Sequence, residues 1–302
     1  MDVPRAEKLA AFFPGAVAME AEQLMRNPTV DAIAILTPPQ THGPLLAAAL
    51  GFGKHVFVEK PLTVNAQEAT ELVTQAAGSD RVVAVGHNLR FHRLVQRARS
   101  LVQSGKLGNL LAVTAMWTAR RVEQPGWRSL PSMGGGVLLD LGVHHADLLA
   151  YLAGSPMEDI TAVRTGNARD GESATMAGRF RNGALFSSLV SQRGVDEHVI
   201  HVAGDECAVE FSLQRANSWR TLSKGQLGLR AQVAEVRQYV GQLPDVLSTI
   251  RTGGDWAQSY VDQWRAFASV VGGGETAICS LKEAATAVNL CSMAAESCSI
   301  AL

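Results

Sequence analysis

Three stretches of this sequence bring together side chains able to hold charge or move a proton. The first is Thr37-Pro38-Pro39-Gln40-Thr41-His42, directly after the apolar run Ala32-Ile33-Ala34-Ile35-Leu36. The second is Glu59-Lys60-Pro61, directly after His55-Val56-Phe57-Val58. A lysine at the carboxyl end of a strand, pinned by a proline, can project into a crevice. There it can stabilise a developing alkoxide or hold a substrate hydroxyl for hydride loss. The third runs from Gly134-Gly135-Gly136 to Asp140, His144 and Asp147. If that segment is helical, the three titratable residues sit at i, i+4 and i+7 and share one face. An imidazole beside a carboxylate supplies a group near neutrality with a neighbour to orient it. The glycines ahead of it let backbone approach a ligand closely. Asn88, Arg90, Phe91 and Arg128 also face the crevice in this reading, while His55 and His87 are read as structural.

Each stretch has a plainer reading beside it. Thr41 serves as a helix N-cap, Glu59-Lys60 is a surface pair ending a strand, and Asp140 and Asp147 are helix-face groups that hydrogen-bond the imidazole. His and carboxylate are also divalent-metal ligands, but no further His stands at ligand spacing, and no metal site is expected.

The elements that must position these residues are set by hydrophobic patterning. Helices are predicted at Pro4 to Phe13, Thr41 to Leu50 and Asn65 to Ala77, and short apolar strands at Ala32 to Leu36, His55 to Val58 and Val82 to Val85. Short apolar strands alternating with helices imply parallel strands buried on both faces, an α/β Rossmann-like sheet. In an open sheet of that kind ligands lie outside the carboxyl ends of the strands, where the first two stretches stand. After Leu107 the pattern changes to consecutive strands: Leu110 to Thr118, Thr161 to Thr165, Ala174 to Phe180, Ala184 to Ser191, His198 to Ala203 and Ala208 to Phe211. Asn182-Gly183 reads as a hairpin turn. Helices are predicted at Gly136 to Leu152, Trp256 to Val271 and Leu281 to Cys298. The expected organisation is therefore an incomplete α/β Rossmann-like domain over 1–88 and, over 89–302, an α+β domain with an open, mainly antiparallel sheet.

Composition narrows the partners. With 302 residues there is room for two cores, and 47% hydrophobic with 18% charged residues is an ordinary globular balance. A formal charge of -1 argues against a nucleic acid or an anionic membrane, either of which needs a basic field. No apolar run has the length of a membrane span, and the start lacks a signal-type apolar segment. The four cysteines (Cys207, Cys279, Cys291, Cys298) make no C-x-x-C pair, and they read as reduced thiols of a cytoplasmic protein.

Taken together, these residues resemble the oxidoreductase family named after glucose–fructose oxidoreductase, inositol dehydrogenase and the rhizopine catabolism protein (Gfo/Idh/MocA). Gly53-Lys54-His55-Val56-Phe57-Val58-Glu59-Lys60-Pro61 resembles its most recognisable signature, and Asp140 with His144 its second. The resemblance implies a nicotinamide cofactor, NAD or NADP, and a sugar, polyol or related polyhydroxy substrate. It also implies that the first domain, 1–88, binds a dinucleotide and that the second, 89–302, serves substrate binding and oligomerisation. Lys60 would contact the substrate hydroxyl, His144 would exchange its proton, and Asp140 would orient the substrate or His144. Thr37, Pro38, Pro39 and His42 would line the cofactor site with Glu59 beside them. Asn88, Arg90 and Arg128 would stand at the cofactor–substrate boundary. Family resemblance also suggests a homo-oligomer, a dimer or tetramer, using the open sheet.

One departure stands out. Members of the family begin with a strand, a G-x-G-x-x-G/A turn, a helix and a second strand, whereas Gly15 is the lone glycine among the first forty residues here. By the resemblance Asp2 would correspond to the acid that ends the second strand and binds the adenosine ribose; it would favour NAD, while Arg5 nearby could accept a 2′-phosphate, and the choice between NAD and NADP stays open. The expectation is a sequence that starts at a downstream methionine, with a genuine short form as the second possibility. In that arrangement the strand at Ala32 becomes an exposed apolar edge. Two other functions stay open: a cofactor-retaining lyase or glycosidase-type enzyme, and a non-catalytic binding or regulatory subunit.

Overall fold

The computed structural model describes residues 3–120, 126–167, 171–215, 218–225, 229–242, 244 and 253–300. Two sheets organise them. The smaller has strands β1 (Ala32–Ile35), β2 (His55–Val58) and β3 (Val83–Val85) in the order β1-β2-β3, all parallel. Helix α1 (Val3–Ala10) and the short α2 (Ala21–Arg26) precede it, and α3 (His42–Gly51) and α4 (Ala66–Ala76) make the crossovers. The Asn65 side chain caps α4 by accepting from the Glu68 amide, as its residue type favours. Val56, Phe57 and Val58 have no solvent exposure, as the central strand of a covered sheet requires. Strand β1 pairs with β2 alone among the described strands, and Leu36 just beyond it is exposed.

The second face of this small sheet is covered from far along the chain. Helix α8 (Asp255–Val271) lays Trp264 and Phe267 on Phe57, with ring centroids 4.1 and 5.7 Å apart. Ala84 of β3 also bridges to Ser280, the residue that caps α9 (Leu281–Ser297). Part of the layer that buries β2 thus comes from beyond residue 250, which strand–helix alternation in the first third does not reveal.

The larger sheet has eight strands in the order β10-β9-β8-β4-β7-β6-β5-β11. They are β4 (Leu110–Thr118), β5 (Met157–Asn167), β6 (Gly171–Phe180), β7 (Leu185–Ser191), β8 (Glu197–Gly204), β9 (Cys207–Ser212), β10 (Arg220–Ser223) and β11 (Ser299–Ile300). It is mostly antiparallel, as expected, but β4 runs parallel to β7 and β11 parallel to β5. The hairpin at Asn182-Gly183 forms, with Gly183 at φ 88°, a left-handed conformation that favours glycine. Alternate residues of β4, β7 and β8 (Val113, Phe186, Val190, Ile200, Val202) point into the core. Helix α6 (Val143–Ala153) and α9 lie in that core. The opposite face presents Thr114, Met116, Thr175, Leu189, Val199 and His201 around a shallow depression. Helices α5 (Arg93–Gln103) and α7 (Leu229–Gly241) have no counterpart among the sequence expectations. Among the described residues no helix is long and apolar enough to cross a membrane.

Candidate active site

The turns after β1, β2 and β3 deliver Thr37, Glu59-Lys60 and His87-Asn88 to one edge of the small sheet, because parallel strands end on the same side. The Lys60 ammonium leaves that edge and donates to the Asp140 carbonyl (2.8 Å) and to Asp140 Oδ1 (3.3 Å). Both side chains are largely shielded, 16% and 12% exposed. Asp140 belongs to a π-helical stretch, Leu138–Gly142, that precedes α6. Gln192, after β7, brings its amide to within 3.5 Å of Asp140 Oδ2.

That π-helical stretch corrects the expectation of one shared face. Wider helical turns of this kind recur at functional sites and shift the register of the helix beyond them. Asp140 turns to Lys60, while His144 and Asp147, one turn apart in α6, both border His87, and His144 also sits against Trp117, ring centroids 5.3 Å apart. Arg90 takes Asp147 through Nε (2.9 and 3.1 Å) and Nη2 (2.6 Å) and reaches Glu283 with Nη1 at 2.8 Å. The Arg90 guanidinium is therefore bound up with these two carboxylates rather than turned to Lys60. Asp147 holds its proton more weakly than an ordinary carboxylic acid: burial raises its pKa, and His87 and Arg90 more than reverse that.

Burial pushes the His144 pKa well below the ordinary imidazole value, and the Lys60 charge adds to the shift. His144 is thus neutral at neutral pH. Its Nδ1 is buried without a hydrogen-bond partner among the described residues. Glu59 is shifted the other way, its pKa raised by burial and partly restored by Lys60. His87, read as structural, stands beside this group: its ring meets His144 edge-on at 6.1 Å, and Nδ1 is 3.6 Å from Asp147 Oδ2. Its place two residues past β3, level with Lys60 after β2, was the available signal.

The remaining predicted residues are distributed around the crevice. Thr37 and Thr41 bond each other through their hydroxyls (2.6 Å), and the Thr41 hydroxyl donates to the Pro38 carbonyl. His42 is buried, with Nε2 2.7 Å from the Thr37 carbonyl and Nδ1 2.8 Å from that of Pro61. It clamps the ends of two strands rather than presenting a polar atom to the crevice. Asn88 donates to the Ser259 hydroxyl (3.0 Å), which fixes α8 over this edge. Arg128 lies in a 3-10 turn, Gly126–Ser129, and its carbonyl accepts from the Gly136 amide at 3.3 Å. Asp2 lies outside the described residues. The close approaches made by that run are internal. A Cβ on Gly134, at φ 90°, would fall 2.7 Å from Pro39 Cβ, and one on Gly135 would strike the Arg128 carbonyl. These glycines close the loop onto the Pro38-Pro39 turn, and so bring Asp140 to Lys60.

Residues 1–87 match the family model described as the oxidoreductase family, NAD-binding Rossmann fold, and residues 95–210 match the GFO/IDH/MocA C-terminal domain. The chain is 29% identical over 185 residues to myo-inositol 2-dehydrogenase of Thermotoga maritima, covering 58% of this chain and 54% of that protein. It is 30% identical over 198 residues to 1,5-anhydro-D-fructose reductase of Ensifer adhaerens, covering 61% and 59%. The matched segment thus spans little more than half the length of these curated relatives. Among solved structures, the inositol dehydrogenase homologue of Azotobacter vinelandii, complexed with NADH and myo-inositol, superposes with a TM-score of 0.73 at 22% identity, covering 92% of this chain and 78% of that one.

Proposed function

We propose, from the premise that this chain belongs to the GFO/IDH/MocA oxidoreductase family, that it interconverts a carbinol and a carbonyl on a sugar or polyol with NAD as cofactor. The observation that carries the reading is the meeting of Lys60, Asp140 and a neutral His144 at the carboxyl edge of the parallel sheet. Residues 1–88 supply Lys60 and 89–302 supply Asp140 and His144, so in this reading the site exists where two units meet. The donor set fits a nicotinamide and a carbinol: one ammonium, one carboxylate already engaged with it, and one uncharged imidazole.

A nicotinamide dinucleotide, held near Thr37, Pro38, Pro39, Glu59 and Asn88, supplies the two-electron acceptor or donor at the carbinol carbon. Lys60 donates a hydrogen bond to the carbinol oxygen and stabilises the negative charge that grows there. His144 takes the hydroxyl proton, or returns it in the reverse direction. Asp140 fixes the ammonium and keeps it from swinging out to solvent. Because His144 stays neutral well below its ordinary pKa, its role as base persists as the pH falls through the range where a free imidazole would protonate. The test is to incubate the full-length protein with NAD and a set of polyols that includes myo-inositol. Reduced nicotinamide accumulating with the ketone supports the reading; product formed with the cofactor absorbance unchanged points instead to elimination or glycoside cleavage through transient oxidation.

The protein is further read as a homo-oligomer joined through the open face of the larger sheet, where Met116, Leu189 and Val199 lie among threonine and serine side chains. Light scattering of a Leu189→Glu variant should report monomers where the wild type gives a dimer or tetramer; equal masses would place the contact elsewhere.

A further inference from the structure

Helix α8 does more than cover the small sheet. Three contacts fix its first turns at the edge that carries Lys60. Asp255 receives a bidentate pair from Arg93 (3.0–3.3 Å), Ser259 receives the Asn88 amide (3.0 Å), and further along Trp264 packs tilted against Phe57, centroids 4.1 Å apart. Between these anchors, Trp256 and Tyr260 stand one turn apart and share a face. Trp256 meets Trp117 edge-on with centroids 6.0 Å apart, and Trp117 in turn packs on His144 at 5.3 Å. Tyr260 lies close enough to Glu59 for that carboxylate, after burial, to raise its phenol pKa. The α8 face therefore spans from Glu59 beside Lys60 to the indole beside His144. Trp117 is almost fully buried, whereas Trp256 is half-buried and Tyr260 is 39% exposed.

We infer that Trp256 is the specificity-determining wall of the site, against which the apolar face of a ring-shaped polyol packs while its hydroxyl edge faces Lys60 and His144; this rests on the oxidoreductase reading above. A cyclitol or pyranose presents axial C–H groups as a flat apolar patch, and a large, half-buried aromatic surface gains dispersion and desolvation energy from covering it. An open-chain polyol has no such patch and must lose several torsional freedoms to imitate one. The indole is prepared for the role: its neighbour Trp117 is itself held by stacking on His198, centroids 4.4 Å apart and 13° from parallel. Trp256 touches no reacting atom, so its loss weakens ring binding without removing the proton acceptor.

The experiment compares myo-inositol with D-glucitol as ring and open-chain probes, in wild type, Trp256→Ala and Trp256→Phe, with NAD present. Wild type should favour the ring by at least tenfold in kcat/KM. Trp256→Ala should raise KM for myo-inositol about tenfold with kcat little changed and leave D-glucitol unaffected, and Trp256→Phe should recover most of the loss. Equal losses on both polyols, or an unchanged KM for the ring, would overturn the inference. Tryptophan fluorescence of the NADH complex titrated with myo-inositol separates this from the parent reading. Saturable binding that Trp256→Ala weakens, without turnover in any variant, keeps the aromatic wall and removes the oxidoreductase; absence of saturable ring binding removes the wall.

Discussion

Lys60→Met should lower kcat/KM by on the order of a thousandfold, with NADH still bound. The substitution keeps most of the side chain's length and apolar stem and deletes only the charge. A preorganised donor aimed at a developing oxyanion is worth roughly a hundred- to a thousandfold in rate. Here the ammonium is already fixed by two contacts to Asp140, so it needs no reorganisation when negative charge appears on the substrate oxygen. His144→Ala should cost a comparable factor, since a positioned proton acceptor contributes roughly a hundred- to ten-thousandfold. The double variant should be hardly worse than either single one, because residues acting in one step are not additive. Arg90→Met should behave differently. It strands the buried Asp147 carboxylate, and such losses appear first as unfolding. Initial rates across substrate concentrations separate these cases; undiminished turnover by both Lys60→Met and His144→Ala would remove these two residues from the chemistry.

The second large effect is on stability. His87, His92, His144, His145 and His198 are all buried, and burial is the leading cause that lowers every one of their pKa values. His87 and His92 are lowered to about 4 and His145 to about 3. His145 and His198 share a hydrogen bond between their Nε2 atoms at 3.0 Å, and the His145 Nδ1 meets the Ser188 hydroxyl at 2.7 Å. That arrangement requires at least one neutral ring. In the unfolded chain each imidazole protonates near its ordinary 6.5, while in the folded protein it stays neutral until a much lower pH. Folding stability is thus intact above about pH 6.5 and falls as the pH drops toward the folded values, because the unfolded state binds protons first. At about pH 5 each of His87, His92 and His145 costs about 2 kcal/mol, and His144 and His198 act in the same direction. Urea midpoints at about pH 7.5 and about pH 5 should differ sharply, and carboxylates titrate too low to account for it. A flat profile over that window would mean that the histidines are solvated in solution.

The small sheet was legible because its strands are short, largely apolar and separated by helices. Helix α4 with its Asn65 cap and the Asn182-Gly183 hairpin were legible from local chemistry alone. The parallel pairing of β4 with β7 was not, since strand alternation carries no information on which distant strand lies alongside. Helix α5, absent from the sequence expectations, nonetheless carries a plain helical signal: Leu94, Val95, Ala98, Leu101 and Val102 recur on one face, and Arg93, Arg97 and Arg99 lie among the polar positions. The largest difference lies in the site itself. A helical wheel places Asp140, His144 and Asp147 together, whereas the π-helical stretch shifts Asp140 out of register with His144 and Asp147, which stay one turn apart in α6; no periodicity announces such a change of pitch. Arg90 and His42 have the residue types of ligand-binding groups, and tertiary packing commits their polar atoms to Asp147 and Glu283 and to two backbone carbonyls.

If the carboxyl edge of the small sheet, with Lys60 at its centre, receives a nicotinamide dinucleotide, a fluorescence titration of the full-length protein with NADH, run beside NADPH, detects it directly. The expected result is saturable binding of NADH, weaker binding of NADPH, and competition by NAD. No saturable change with either dinucleotide would contradict a nicotinamide site and leave Lys60, Asp140 and His144 as a polar cluster with another purpose.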